Sequence, residues 1–99
     1  MSLAEVIQED RRIYVLLCLK ESSGQLNEAV LRKLLVKIGH QVDETDVRGV
    51  LQWLTDAALI RIENLPMDSG EVWVAYLLSA GEAVADGKPH PGIARPPLR

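Results

Sequence analysis

Thr45, Arg48 and Gln52 are the residues of this sequence best suited to reading nucleic acid. Their spacing places them on one face of a helix. Arginine and glutamine pair with base edges in two-pronged fashion, and threonine bonds to phosphate or base. A helix N-terminus beneath them would favour a phosphate through its dipole. The surrounding residues oppose that chemistry. Asp43, Glu44, Asp46 and Asp56 flank the three, and Arg48 is the only base among them. Capping explains Asp43 and Asp46 without any ligand, whereas Glu44 and Asp56 share the outer face and would meet phosphates. Two readings stand: a helix that contacts DNA, and a solvated or protein-binding face.

Arg32, Lys33 and Lys37 form the one dense basic cluster outside the tail. They suit phosphate contacts flanking a reading helix. They equally suit a solvated helix face, since cations near a helix C-terminus are favoured by the dipole. Arg61 is offset by Glu63. His40 and His90 lie far apart and have no partner at zinc-ligand spacing, so no metal site is expected. No nucleophile–base arrangement, glycine-rich phosphate loop or H-E-x-x-H pattern occurs. The carboxylates are scattered, so neither enzyme chemistry nor a cofactor or small-molecule substrate is expected. Cys18, the single cysteine, lies in an apolar run and reads as a small core residue.

The 99 residues suit one small domain. Hydrophobic residues make up 47%, enough for a globular core, and with no Phe that core must be aliphatic. The longest apolar run, Ile13 to Leu19, is far short of the ~18–20 residues of a membrane span. A soluble cytoplasmic protein is therefore expected. The net charge of -3 is unevenly spread. All the acids precede Lys88, while Lys88, Arg95 and Arg99 make the tail basic. An acidic body is a poor electrostatic match to DNA.

The elements that would position these residues follow from periodicity and caps. Ser2 to Glu5 has the form of a capping box and predicts a helix to about Glu21. Leu3, Val6, Ile13 and Leu17 share one face, with Ile7 and Tyr14 beside them. Val15 and Leu19 fall on the opposite side. That predicts either a central helix buried on several sides or a subunit interface through Val15 and Leu19. Asn27 caps a second helix to Ile38 with a core stripe of Leu31, Leu34, Leu35 and Ile38, and Gly39 ends it. Asp43 caps a third helix to Ala57, with Val47, Val50, Leu51 and Leu54 inward. A period of two then predicts strands over residues 59–65 and 72–78 joined by a turn at 66–70. Trp73 and Tyr76 fall on opposite faces of the second strand, one to be buried and one to show. Ser79 to Glu82 is a second capping box, opening a short helix that Gly87 stops. Residues 1–87 are thus one domain, and residues 88–99, rich in proline, an extended or mobile tail.

Helix, helix, turn, helix, two-stranded wing and short helix is the winged helix-turn-helix order, an α+β fold, mostly α. The segment Leu51-Gln52-Trp53-Leu54-Thr55-Asp56-Ala57-Ala58-Leu59-Ile60 resembles the passage from recognition helix to wing in ArsR- and MarR-type regulators. Leu77 followed by Gly81-Glu82 resembles their Leu-Thr-x-x-Gly step after the wing. The whole chain is similar to the small winged-helix proteins encoded by Mu-like phages and prophages. The start Met1 to Glu5, Leu26-Asn27-Glu28, Gly39-His40-Gln41-Val42 and the tail Pro91 to Pro96 carry that likeness. Two positions depart from the regulators. Ala58 stands where they commonly have glycine, and Leu78 where they have the threonine cap, which moves the cap to Ser79. The resemblance implies a phage context and a bacterial host cytoplasm, and it carries no established activity. It leaves two expectations. One is a homodimeric DNA-binding or transcription-regulating module using Thr45, Arg48, Gln52, Arg32, Lys33, Lys37 and Arg61. The other is a protein-interaction module of phage assembly or host takeover that uses the acidic third helix.

Overall fold

Side-chain caps start the first three helices of the computed structural model, which describes residues 2–97. Helix α1 spans Leu3–Glu21, and the Ser2 hydroxyl accepts from the Glu5 amide. Helix α2 spans Glu28–Lys37, with the Asn27 side chain accepting from Val30 at 2.9 Å. Helix α3 spans Glu44–Asp56, capped reciprocally by Asp43 and Asp46. Between α1 and α2 lies β1, Gln25–Asn27; after α3 come β2, Ile60–Met67, β3, Gly70–Leu77, and helix α4, Ser79–Ala85. The three strands form one antiparallel sheet in the order β1-β3-β2. The fold is therefore α+β with four helices. Met1, Leu98 and Arg99 lie outside the described residues, and with them the expected contribution of Arg99 to the basic tail.

Helix α3 ends in a Schellman motif. Leu59 N–H reaches the Leu54 carbonyl at 3.0 Å and Ala58 N–H that of Thr55 at 3.0 Å. The motif puts its hinge residue at positive φ, and here that residue is Ala58, at 60°. Gly39 has the same role after α2, with φ 105°. An alanine Cβ in this region costs roughly 1 kcal/mol that glycine avoids. Gly81 is needed for a different reason. A Cβ there would come within 2.2 Å of the Leu59 carbonyl oxygen, so α4 packs by its bare backbone onto the start of β2.

The β2–β3 register runs unbroken from Ile60 opposite Leu77 to Met67 opposite Gly70. The strands are therefore longer than periodicity predicts, and the turn is Asp68-Ser69. Leu78 N–H donates to the Leu59 carbonyl at 3.1 Å, which makes 59 and 78 a hydrogen-bonded pair. By the antiparallel alternation, odd-numbered β2 residues face β3 and even-numbered ones turn their N–H and C=O to the free edge. Pro66 obeys that parity, since it lacks only an amide the ladder does not use. On the other side of β3, Gln25, Leu26 and Asn27 pair with Tyr76, Ala75 and Val74. That third strand has no sequence signature. Three residues are too few for a period, and their extended conformation depends on β3 being there.

The core gathers Ile13, Leu16, Leu31, Leu35, Val47, Leu51 and Leu54, all fully buried, under Ile60 and Ala75 of the sheet. Several expectations need correction. Val15 and Leu19 are 0% exposed and belong to this core, so they form no surface through which subunits could pair. Helix α1 is central, touching all three other helices and the sheet. Its first turn projects beyond the core, leaving Leu3 75% exposed, and Val6 and Ile38 are exposed as well. Trp73 and Tyr76 do lie on opposite sheet faces, but both are half-buried. Helix α4 takes Leu78 as N-cap with no side-chain bond, so Ser79 is its first residue and the expected cap there is absent. The tail is docked along residues 90–94. Ala94 N–H reaches the Glu9 carbonyl at 3.2 Å, and Ile93 and Ala94 pack on the core. No described helix is long and apolar enough to cross a membrane.

Candidate functional site

Arg48 projects from the middle of α3 toward α2 and β3. Its Nε donates to Glu28 Oε1 at 2.7 Å and its Nη2 to Glu28 Oε2 at 2.9 Å, a two-pronged ion pair. The same Nη2 donates to the Glu71 carbonyl at 3.0 Å and lies 3.5 Å from the Glu44 carboxylate. The guanidinium sits 4.8 Å from the centre of the Trp73 ring. Glu28 is 7% exposed and also accepts the Trp73 amide at 2.6 Å. Hydrogen bonding from Arg48 holds the Glu28 carboxyl below its ordinary range, against the opposing pull of burial. The bonds that Arg48 donates to Glu28 in turn raise its own pKa. Arg48 therefore serves α2–α3–β3 packing, with two of its three guanidinium nitrogens engaged inside the domain.

The other expected readers are also engaged or apart. Gln52 Nε2 donates to Asp56 Oδ1 at 2.9 Å on the outside of α3. Thr45 is exposed beside Glu44. The start of α3 is closed by its own carboxylates: Asp46 N–H donates to Asp43 at 2.7 Å and Asp43 N–H to Asp46 at 3.0 Å. The bond from the Asp46 amide is the largest cause holding Asp43 below its usual range. Negative charge thus already occupies the place a phosphate would take.

Arg32 Nε donates to the Val42 carbonyl at 3.2 Å, tying α2 to the connection before α3. Arg32 and Lys33 line a cleft of about 450 Å³ together with Glu28 of the same helix and with Glu44 and Glu71, so acids and bases share its walls. Lys37 lines a different groove, between α1 and α2. Arg61 stacks at 3.9 Å over Tyr76 on the sheet face away from Trp73, 3.8 Å from Glu63. The seven expected DNA contacts therefore do not converge on one basic surface. Around them the β2–β3 hairpin exposes Glu63, Asp68 and Glu71, with Leu65 and the 57%-exposed Met67 near its tip.

Three groups escape sequence reasoning. Glu28 directly follows an N-cap and reads there as an ordinary first-turn acid; nothing local marks it as buried. Arg12 lies 4.0 Å over the Trp53 ring and donates to the Gly92 carbonyl at 2.8 Å. Gly92 lies so close to Trp53 that a Cβ would stand 2.6 Å from the ring. Each of these contacts joins residues distant in sequence. His40 bonds Asp10 at 2.7 Å, and His90 meets the Trp53 ring edge-on. Cys18 is half-buried; burial, with the charge of Glu21 adding, pushes its thiol up and away from reactivity.

No protein-family model matches the sequence. Over 93 residues the chain is 34% identical to the uncharacterized protein gp26 of Escherichia phage Mu, covering 93% of each. It is 37% identical over 65 residues to an uncharacterized protein of Haemophilus influenzae, covering 66% of this chain and 64% of that one. The chain belongs to the family of phage and prophage proteins that includes phage Mu gp26.

Proposed function

We propose that the chain is a winged-helix module whose α3 and hairpin face binds a protein rather than DNA. The element order α1, α2, α3, hairpin supports the winged-helix reading. The observation that carries the function is the fate of Arg48: the one base on the reading helix is held internally by Glu28 and Trp73. What remains outward on that face is mainly acidic, with Glu44 and Asp56 on α3 and Asp68 and Glu71 on the hairpin. A surface of that sign repels phosphates and suits a partner presenting lysine or arginine. Leu65 and Met67 supply apolar anchors beside the acids. Assembly or host-takeover steps of a phage cycle are the setting for such a module.

A second reading is favoured by the exposed lysines of α2. Lys33 and Lys37, with Arg32, could bring the domain to a duplex by phosphate contacts in transcription or DNA handling. Titrating labelled random duplex DNA with the protein at low and moderate salt separates the two. The protein-binding reading expects no association at low ionic strength. Salt-sensitive binding that disappears in Arg32→Ala/Lys33→Ala/Lys37→Ala would replace it with the DNA reading.

A further inference from the structure

We propose that the free edge of β2 is a self-complementary interface that joins two copies of this chain into one six-stranded sheet. β2 lies at the end of the β1-β3-β2 order, so among the described residues one side of it has no strand partner. Parity in the unbroken β2–β3 register turns the N–H and C=O groups of Ile60, Ile62 and Asn64 toward that side. Pro66, at the far end, leaves this stretch unblocked. An open edge of this kind templates pairing unless something prevents it.

The charges on the strand choose the occupant and the register. Arg61 and Glu63 lie on the same exposed sheet face, two residues apart on either side of Ile62. Place a twofold axis through Ile62 and run a second β2 antiparallel to the first. Ile62 then pairs with its own copy, and Ile60 pairs with Asn64, so the edge-directed groups of these three residues all find partners. In the same register each Arg61 stands opposite the other copy's Glu63, giving two opposite-charge cross-strand pairs. Moving the axis to residue 61 sets Arg61 against Arg61, and moving it to residue 63 sets Glu63 against Glu63. A half-residue shift would mismatch the faces. Edge charges of one sign would repel a second copy; this pair attracts one in a single register. The interface is isologous, as twofold dimers require. It leaves the hairpin tip free.

The test is sedimentation of the full chain at low and high micromolar concentration, with folding checked by circular dichroism. The wild type is expected to shift from monomer toward dimer. Arg61→Glu alone and Glu63→Arg alone each replace two attractions with two repulsions, and each should weaken the dimer about tenfold or more. The double variant Arg61→Glu/Glu63→Arg restores complementarity and should recover it, and mixing the two single variants should give a heterodimer. Asn64→Pro removes an edge amide that β3 does not use and should abolish pairing while the fold survives. A wild type that stays monomeric at the highest concentration overturns the proposal. So does a dimer indifferent to the single charge reversals or to Asn64→Pro, or a failure of the double variant to restore association.

Discussion

Arg48 on Trp73 and Arg12 on Trp53 bring the same two groups together in two ways. Arg48 faces a buried carboxylate through two bonds, and its affinity for its proton rises. Arg12 has the neutral Gly92 carbonyl as its acceptor, its Nε is buried without a partner, and burial lowers its affinity, with the charge of Glu9 opposing. The first contact is a balanced charge inside the body, so removing one member leaves the other stranded. The second is a cation held by the docked tail, and removing the tail returns the cation to water. The first is therefore integral to the fold, and the second is separable from it.

The largest expected effect is at Glu28. Glu28→Ala leaves the Arg48 guanidinium without its carboxylate and the Trp73 amide without its acceptor. It should cost about 3 kcal/mol in urea unfolding. The pH form of the same test is weaker. The Glu28 carboxyl titrates below its ordinary value when folded, so its contribution is fully present above about pH 4.3. That contribution is lost as the pH falls from there through the folded pKa. Glu28→Gln should flatten the acid limb of a stability–pH profile and leave its slope near neutrality unchanged.

Deleting residues 88–99 probes the other side of the comparison. It frees the Trp53 ring and uncovers the half-buried contacts of Ile93 and Ala94, which should cost about 1–2 kcal/mol. Unfolding should stay cooperative, and the tryptophan emission should shift red. A loss as large as that of Glu28→Ala would mean the tail is no less integral than the ion pair. The smallest effect tests neither contact and serves as a control at the C-terminal end of α3, the helix that carries Arg48 and Trp53. Ala58→Gly relieves a left-handed alanine and should raise stability by about 0.5 kcal/mol at most, net of the entropy glycine adds to the unfolded chain.

What could be read in advance divides along the same line. Ser2, Asn27 and Asp43 start helices in the sequence as they do in the structure, because a cap bonds three residues away. The hairpin and the inward stripe of α3 follow from period alone. Ala58 stands where the regulators it resembles commonly have glycine, and its φ of 60° gives the reason. The Glu28–Arg48 pair spans twenty residues, and the Arg12–Gly92 bond eighty, so no local pattern announces either. β1 exists only because β3 lies beside it. Val15 and Leu19 fit both a buried central helix and a subunit interface on a helical wheel, and only their packing on all sides selects the first. Proline in the tail suggested mobility, yet it also lowers the entropy lost when the tail docks.

Arg48 is engaged within the domain, and we propose that it is therefore not a base reader. A double-mutant cycle on Glu28→Gln and Arg48→Met, followed by urea unfolding, addresses it directly. Strong coupling is expected, with the double variant losing much less stability than the two single losses combined. Additive losses would mean the two side chains do not depend on each other, and Arg48 would return to the list of groups open to a ligand.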